Sequence, residues 1–351
     1  MTRAFTNRRY LEAVNDHIVV FDGAMGTNIQ KLNLSHADFG GEKLWGCNDY
    51  LVIAQPQVIE SIHASFLAVG CEVVETDTFR SNRITLREYG LSDRVVEINR
   101  AAAQLARRAC DRFAQETGLP RYVAGSLGPT GMLPSSTDPA LSKVTFQELA
   151  DVFAEQARGL VEGGADLLLL ETQQDILEVK AAIYGIVKYF ESTGVRLPLQ
   201  VQVTLDTTGR MLLGTDIAAV LAILEALPVD VIGLNCSTGP DYMREPVRYL
   251  TSHTRKPISV IPNAGLPINV DGVACYPMEP GPMADTLAEF VTEFGVSVVG
   301  GCCGTTPDHL RALVEKVSNA QHPIPNLTSR TVDESPCVAS AMRATPLHQE
   351  P

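Results

Sequence analysis

Three cysteines carry the strongest chemical signal in this sequence. Cys302 and Cys303 are adjacent and flanked by glycines in Val298-Val299-Gly300-Gly301-Cys302-Cys303-Gly304-Thr305-Thr306, and Cys236 ends a second apolar run, Val231-Ile232-Gly233-Leu234-Asn235-Cys236. Thiolates are good zinc ligands; structural sites close with four protein ligands, whereas catalytic sites leave one position open. Neither segment contains a CxxC pair or a histidine that would supply a fourth. Three thiolates with an open position suit a ligand from outside, and a coordinating thiol would lose its proton to the metal. Plainer readings stand beside this one. Cys236 alone reads equally well as a buried strand cysteine, and the adjacent pair as a strained vicinal disulfide, a redox switch. The two patterns together favour a single zinc.

Other reactive side chains fall at comparable places. Asp22-Gly23, Glu75-Thr76 and Glu171-Thr172 each follow an apolar run, as Asn235-Cys236 does. In Asp22-Gly23-Ala24-Met25-Gly26-Thr27 the glycines let a ligand approach the backbone, so free N–H groups near Gly23 and Ala24 would suit a carboxylate, with Asp22 facing an ammonium. The plain alternative is a turn. Glu171 follows four leucines, and a charge there is costly unless paired, by a substrate amino group or by a neighbouring Lys or Arg. Asn235 would orient a ligand or satisfy backbone groups. His63 and His309 read as ordinary helix-face residues, and Thr306-Pro307-Asp308 as a helix start. Of the other cysteines, Cys71 and Cys110 read as core, and Cys47, Cys275 and Cys337 as loop or tail.

The elements that must position these groups are short apolar runs alternating with amphipathic segments. Candidate strands are 18–21, 72–75, 122–125, 167–171, 199–205, 231–236, 258–261 and 296–300, nearly continuous in Val, Ile and Leu, as parallel strands covered on both faces require. Helices are expected at 56–66, 94–113, 145–162 with a capping box at Thr145-Phe146-Gln147-Glu148, 175–190, 215–226, 283–294 and 306–317. Pro246 should make 240–252 less regular. Eight such strands fit a (β/α)8 barrel of the TIM type better than an open sheet, with active groups at the C-terminal strand ends. Residues 32–49 form a long insertion after the first strand, and loops of that length at a barrel mouth are functional or poorly ordered. From about Ser318 the periodicity ends, so 1–318 is expected to be the barrel and 319–351 a linker or tail.

Composition narrows the function. The chain has 351 residues, 45% hydrophobic, with a formal net charge of −13, which argues against nucleic-acid or anionic-membrane partners. No apolar run is long enough to span a bilayer and no signal peptide is evident. The 8 cysteines in a chain this long read as reduced thiols, hence a cytoplasmic location.

These motifs resemble those of the homocysteine S-methyltransferases, most closely the N-terminal homocysteine-binding module of the cobalamin-dependent methionine synthases. The match runs through Phe21–Thr27, Val74–Phe79, Gly163–Thr172, Gly233–Cys236, Pro262-Asn263-Ala264-Gly265-Leu266-Pro267 and Gly300–Pro307. The resemblance implies a barrel with zinc held by Cys236, Cys302 and Cys303 and homocysteine sulfur as the added ligand. It also implies that Asp22 and Glu171 hold the amino-acid end, with N–H groups near Gly23 and Ala24 on the carboxylate. Methylcobalamin is then the expected methyl donor, and the folate-binding and cobalamin-binding modules are the expected partners, absent from this chain. An excised fragment or split protein is expected. The alternatives are a free-standing enzyme using S-methylmethionine or betaine, and the vicinal-cysteine redox sensor.

Overall fold

Eight buried runs pair in parallel: β1 (Val19–Val20), β2 (Val73–Glu75), β3 (Tyr122–Leu127), β4 (Leu167–Gln173), β5 (Leu199–Val203), β6 (Val231–Asn235), β7 (Ile258–Ile261) and β8 (Val298–Val299). The computed structural model describes residues 4–270 and 272–318, together with the backbone of 337–339 and 344–346. Each of β3 to β7 pairs with its sequence neighbours, and β8 lies between β7 and β1. The seam between β1 and β2 closes through a parallel bridge from Phe21 to Val73, with Glu72 N donating to Val20 O (2.8 Å) and Asp22 N to Val73 O (2.9 Å). The result is the (β/α)8 barrel expected from the alternation of runs.

The reason lies in the side chains. All seven residues of β4 are buried, because the inward set packs in the barrel and the outward set against helices. Inside, Val19, Phe21, Val73, Ala124, Leu167, Leu169, Val231 and Val298 make one cluster. A polar layer accompanies it, where Gln200 and Gln202 both donate to Ser259 Oγ (3.1 and 2.8 Å). Outside, helix Phe146–Gly163 opens on the expected Thr145–Glu148 capping box. It meets helix Ile176–Thr193 so closely that a Cβ on Gly185 would lie 2.0 Å from Ala150 O.

Three features depart from expectation. Helix Pro240–His253 runs unbroken through Pro246. Met243, Pro246, Val247 and Leu250 form one buried stripe, and that apolar burial offsets the hydrogen bond the proline cannot donate. An N-terminal helix, Arg9–Asp16, places Tyr10 and Val14 against the barrel cluster, and the Tyr10 hydroxyl donates to Gln200 Oε1 (2.5 Å). A hairpin, Ile268–Val270 with Val273–Cys275, follows β7. The tail reading of 319–351 lies outside the described residues, except that 337–339 and 344–346 pair as antiparallel strands. No helix among the described residues is long and apolar enough to cross a membrane.

His63 is fully buried in helix Pro56–Ala68 rather than on an open face, and neither ring nitrogen has a hydrogen-bond partner. Burial pushes its pKa down to about 4. A histidine with a depressed folded-state pKa binds its proton more readily unfolded, so stability falls as pH drops from the unfolded value near 6.5 towards 4. His63 should therefore contribute about 2 kcal/mol of destabilisation between pH 7 and 5. Urea midpoints at the two pH values should converge in His63→Leu relative to wild type; an unchanged difference would dismiss this role.

Candidate metal centre

The three cysteines do converge. Cys236 follows β6 directly, and both it and Ser237 adopt left-handed backbone (φ +59° and +58°), a conformation that costs a non-glycine residue about 1–3 kcal/mol. Thr172, at the end of β4, does the same (φ +55°). Such strain persists only where surrounding contacts enforce it. Here Cys236 N donates to Ile261 O (3.1 Å) and Thr204 Oγ1 donates to Asn235 O (2.5 Å).

Beyond β8, Cys302 N donates to Pro262 O (2.7 Å), Cys303 N donates to Asn263 Oδ1 (3.1 Å), and Thr305 Oγ1 donates to Cys302 O (2.7 Å). Gly304 has φ +81°, and a Cβ there would meet the Tyr276 side chain at 2.3 Å. The adjacent cysteines are thus pinned by the loop after β7 on one side and by Thr305 on the other.

The Cys236 and Cys303 sulfurs are 3.9 Å apart, and all three sulfurs lie within 4.8 Å of one another. Tetrahedral zinc with Zn–S bonds of about 2.3 Å needs sulfur separations of about 3.8 Å. All three are free thiols. Hydrogen bonds from Cys236 and Cys302 hold the Cys303 pKa down to about 3. Hydrogen bonding to its two neighbours, with burial, keeps the Cys302 proton on well above the usual range. The Cys302 hydrogen bond lowers the Cys236 pKa, but its bond to Cys303 and burial outweigh this and push it up to about 12. Packed this closely, the sulfurs hold two of their own pKa values up and one down, and a full set of thiolates requires a cation among them. Spacing and donor set both fit a thiophilic divalent ion.

Beside the sulfurs is a cavity of about 820 Å³ whose lining includes Gly23, Ala24, Glu75, Glu171, Tyr276 and the cysteines. Glu171 accepts from Ser126 Oγ (2.5 Å) and Asn235 Nδ2 (2.9 Å), and burial lifts its pKa to about 7 against those bonds. Burial, with Glu171 and Asp22 nearby, raises Glu75 well above the carboxylate range. Asp22 is raised chiefly by burial, and its two oxygens accept from Glu75 N (3.2 and 3.1 Å). None of the three carboxyls joins an ion pair among the described residues, so the cavity is built to receive a cationic group.

The expected residues divide into two sets. Cys236, Cys302, Cys303, Glu171, Gly23 and Ala24 border the cavity, whereas Asp22 and Asn235 sit behind it. Asn235 spends its amide on Glu171, on Thr172 Oγ1 (2.8 Å) and on the Thr172 N–H (2.7 Å). Ala24 N already donates to Thr305 Oγ1 (3.1 Å). Sequence reading passed over Glu75, though it marked that residue at a strand end, and it missed Ser126 and Tyr276. Val270-Asp271-Gly272-Val273 is a two-residue hairpin signal that would have shown a hairpin leading into Tyr276.

The closed (β/α)8 barrel thus carries a thiol triad and buried carboxyls at its C-terminal rim, where barrel enzymes do their chemistry. The homocysteine S-methyltransferase family model matches residues 19–317; the chain belongs to that family and is a methyltransferase. It is 42% identical over 341 residues to methionine synthase of Mycobacterium leprae, and 42% identical over 343 residues to that of Mycobacterium tuberculosis. Each match takes in 97% of this chain but only 28% and 27% of the relative, so the chain spans about a quarter of those proteins. The metallated form of the homocysteine methyltransferase MmuM from Escherichia coli shares the fold, with a TM-score of 0.70 at 22% identity over 88% of this chain and 99% of that one.

Proposed function

We propose that this chain activates homocysteine for methyl transfer to give methionine, with one zinc held by Cys236, Cys302 and Cys303. The observation that carries this reading is the sulfur triangle itself, spaced for one tetrahedral ion and open towards a cavity. Zinc bound there supplies a Lewis acid that admits a thiol as its thiolate near neutral pH, where a free thiol of pKa about 8.5 is only a few per cent ionised.

The chain's own residues do the rest. Glu171, fixed by Ser126 and Asn235, accepts the substrate ammonium and gives up its own proton as the cation arrives. Glu75 adds a second carboxyl beside it, and Asp22 supports both through the Glu75 N–H. The backbone at Gly23 and Ala24 takes the carboxylate, Ala24 by sharing its N–H with Thr305. Substrate is thereby held by both ends, with its sulfur directed at the cysteines.

Methylcobalamin carried by a separate module is the proposed donor, and a folate-binding module the proposed source of its methyl group. Support comes from the relatives, methionine synthases of which this chain spans only 28% and 27%. A reducing, cytoplasmic setting is part of the proposal, because the reading needs all three thiols free.

The test is metal analysis of the purified chain followed by homocysteine titration and then addition of methylcobalamin. About one zinc per chain, zinc-dependent homocysteine binding and methionine formation are expected. Tight homocysteine binding by metal-free protein would overturn the reading. Turnover with S-methylmethionine or betaine alone would instead identify a free-standing enzyme, and reversible loss of two thiols without zinc uptake a redox sensor.

A further inference from the structure

The cavity beside the sulfurs has an outer end, where the lining residues Gln30, Asn33, Val273 and Ala274 are exposed. There it passes between the segment after β1 and the hairpin after β7. Its volume of about 820 Å³ is far more than a four-carbon amino acid fills, so the outer end stays open above a substrate seated at the carboxyls. The hairpin side is apolar. Val270 lies opposite Val273 and Ile268 opposite Cys275, so these four side chains share one face of the hairpin. That face is uncovered: Ile268, Val270 and Val273 are 50%, 46% and 58% exposed. From Ala264 to Met278 the sequence has a single charged residue, in a chain of net charge −13. A two-stranded hairpin is marginally stable alone in water, and a contiguous exposed apolar patch marks a surface that meets something.

The other side mixes an aromatic ring with amides. Trp45, next in sequence to the lining residue Gly46, is 56% exposed, with the His36 ring against it (centroids 4.9 Å apart). More than half of the large apolar side chains exposed among the described residues lie on these two segments, so the patch is not scatter. Gln30, Asn33 and Asn48 line the cavity here. The amides of Gln30 and Asn48 have no hydrogen-bond partner among the described residues, and Asn33 makes one long bond to Lys31 O (3.4 Å). Free charge is scarce. Arg80, the one cationic side chain on the lining, pairs with Glu88 (3.3 Å), and Asp49 and Asp77 are buried.

A near-neutral mouth with free amides and an apolar wall is a poor match for a small cationic donor. It matches a large ligand with hydrocarbon faces and a fringe of primary amides, which is what the corrin ring of methylcobalamin presents. Amides recognise amides well, because each has both N–H donors and a carbonyl acceptor. We propose that this mouth is a seat for the corrin ring of the methyl donor: Gln30, Asn33 and Asn48 bond its amide side chains, while Trp45 and the hairpin face cover its hydrocarbon surface. The proposal rests on the reading of methylcobalamin as the donor.

Trp45 is the only tryptophan in the chain, so its fluorescence reports the mouth directly, and corrinoids absorb where tryptophan emits. The whole zinc-loaded chain is titrated with free methylcobalamin in the absence of homocysteine, so that the methyl group stays on cobalt. Free N-acetyltryptophanamide run in parallel corrects for light absorbed by the ligand. Wild type should show saturable quenching. Gln30→Ala with Asn48→Ala should melt as wild type does and weaken the half-saturation point about 10-fold, the worth of two neutral hydrogen bonds. Ile268→Ser with Val270→Ser should weaken it as well, and serves if the first variant folds poorly. Quenching that never saturates, or that saturates identically in both variants, would overturn the seat; methionine formation from methylcobalamin would then leave the donor reading standing. No methionine from methylcobalamin, in a chain that binds homocysteine through zinc, would overturn the donor and the seat together.

Discussion

Cys302→Ala is expected to leave the chain without stoichiometric zinc. The ion would retain two sulfurs, Cys236 and Cys303, 3.9 Å apart, and the described residues near them provide no further cysteine or histidine to complete a group of metal ligands. Removing one of three thiolates should weaken binding by at least about 1,000-fold, or about 4 kcal/mol, so zinc that survives dialysis in wild type should be lost. The fold should survive, because Cys302 is only half-buried at a loop after β8 while the barrel cluster beneath it is intact. Cys110→Ala is the matched control: that thiol is wholly buried and donates to Tyr122 O, so zinc content should not change. Inductively coupled plasma analysis of the two variants decides it, and zinc retained at wild-type affinity in Cys302→Ala would refute the site.

Glu171→Gln is expected to keep its zinc and lose its substrate. The carboxylate is held by Ser126 and Asn235, with no cationic side chain paired to it among the described residues. Taking away one partner of a buried charged pair costs about 3–5 kcal/mol, which corresponds to a fall in kcat/KM of roughly 150- to 5,000-fold. The pH behaviour has a definite sign. Burial lifts the free carboxyl to about 7, so below that value it is neutral and attracts the ammonium weakly. Homocysteine affinity should therefore rise with pH through about 7 in wild type, and this rise should flatten in the glutamine variant. Deaminated homocysteine, 4-mercaptobutanoate, gives the internal check. If Glu171→Gln weakened it as much as homocysteine, the carboxylate would have some role other than holding the amino group.

Much of the frame was legible because its cause is local. A run such as Leu167-Leu168-Leu169-Leu170 has no solvent face to reserve, and the glycines around Cys302 and Cys303 mark backbone that no side chain could share. The convergence of Cys236 with that pair could be read because both ends lie on one rim of any such barrel. What escaped depends on contacts distant in sequence. Helix Arg9–Asp16 is too short to declare itself, and it is held by Tyr10 reaching residues from strands far along the chain. Pro246 reads as a breaker until the buried stripe beside it is seen. Asp22, expected to face substrate, also accepts from the Glu75 N–H, and Glu75 borders the cavity beside it. No spacing rule reveals that link, because it depends on how the ends of two neighbouring strands turn.

The proposed ligands follow β6 and β8 and straddle β7, so no stretch of the chain shorter than Cys236–Cys303 contains them all. During synthesis, a nascent chain that has not yet reached Cys302 has only one sulfur from this set, Cys236. On the proposed reading, zinc uptake waits for the last strand of the barrel, and a chain cut short before that strand cannot hold the ion.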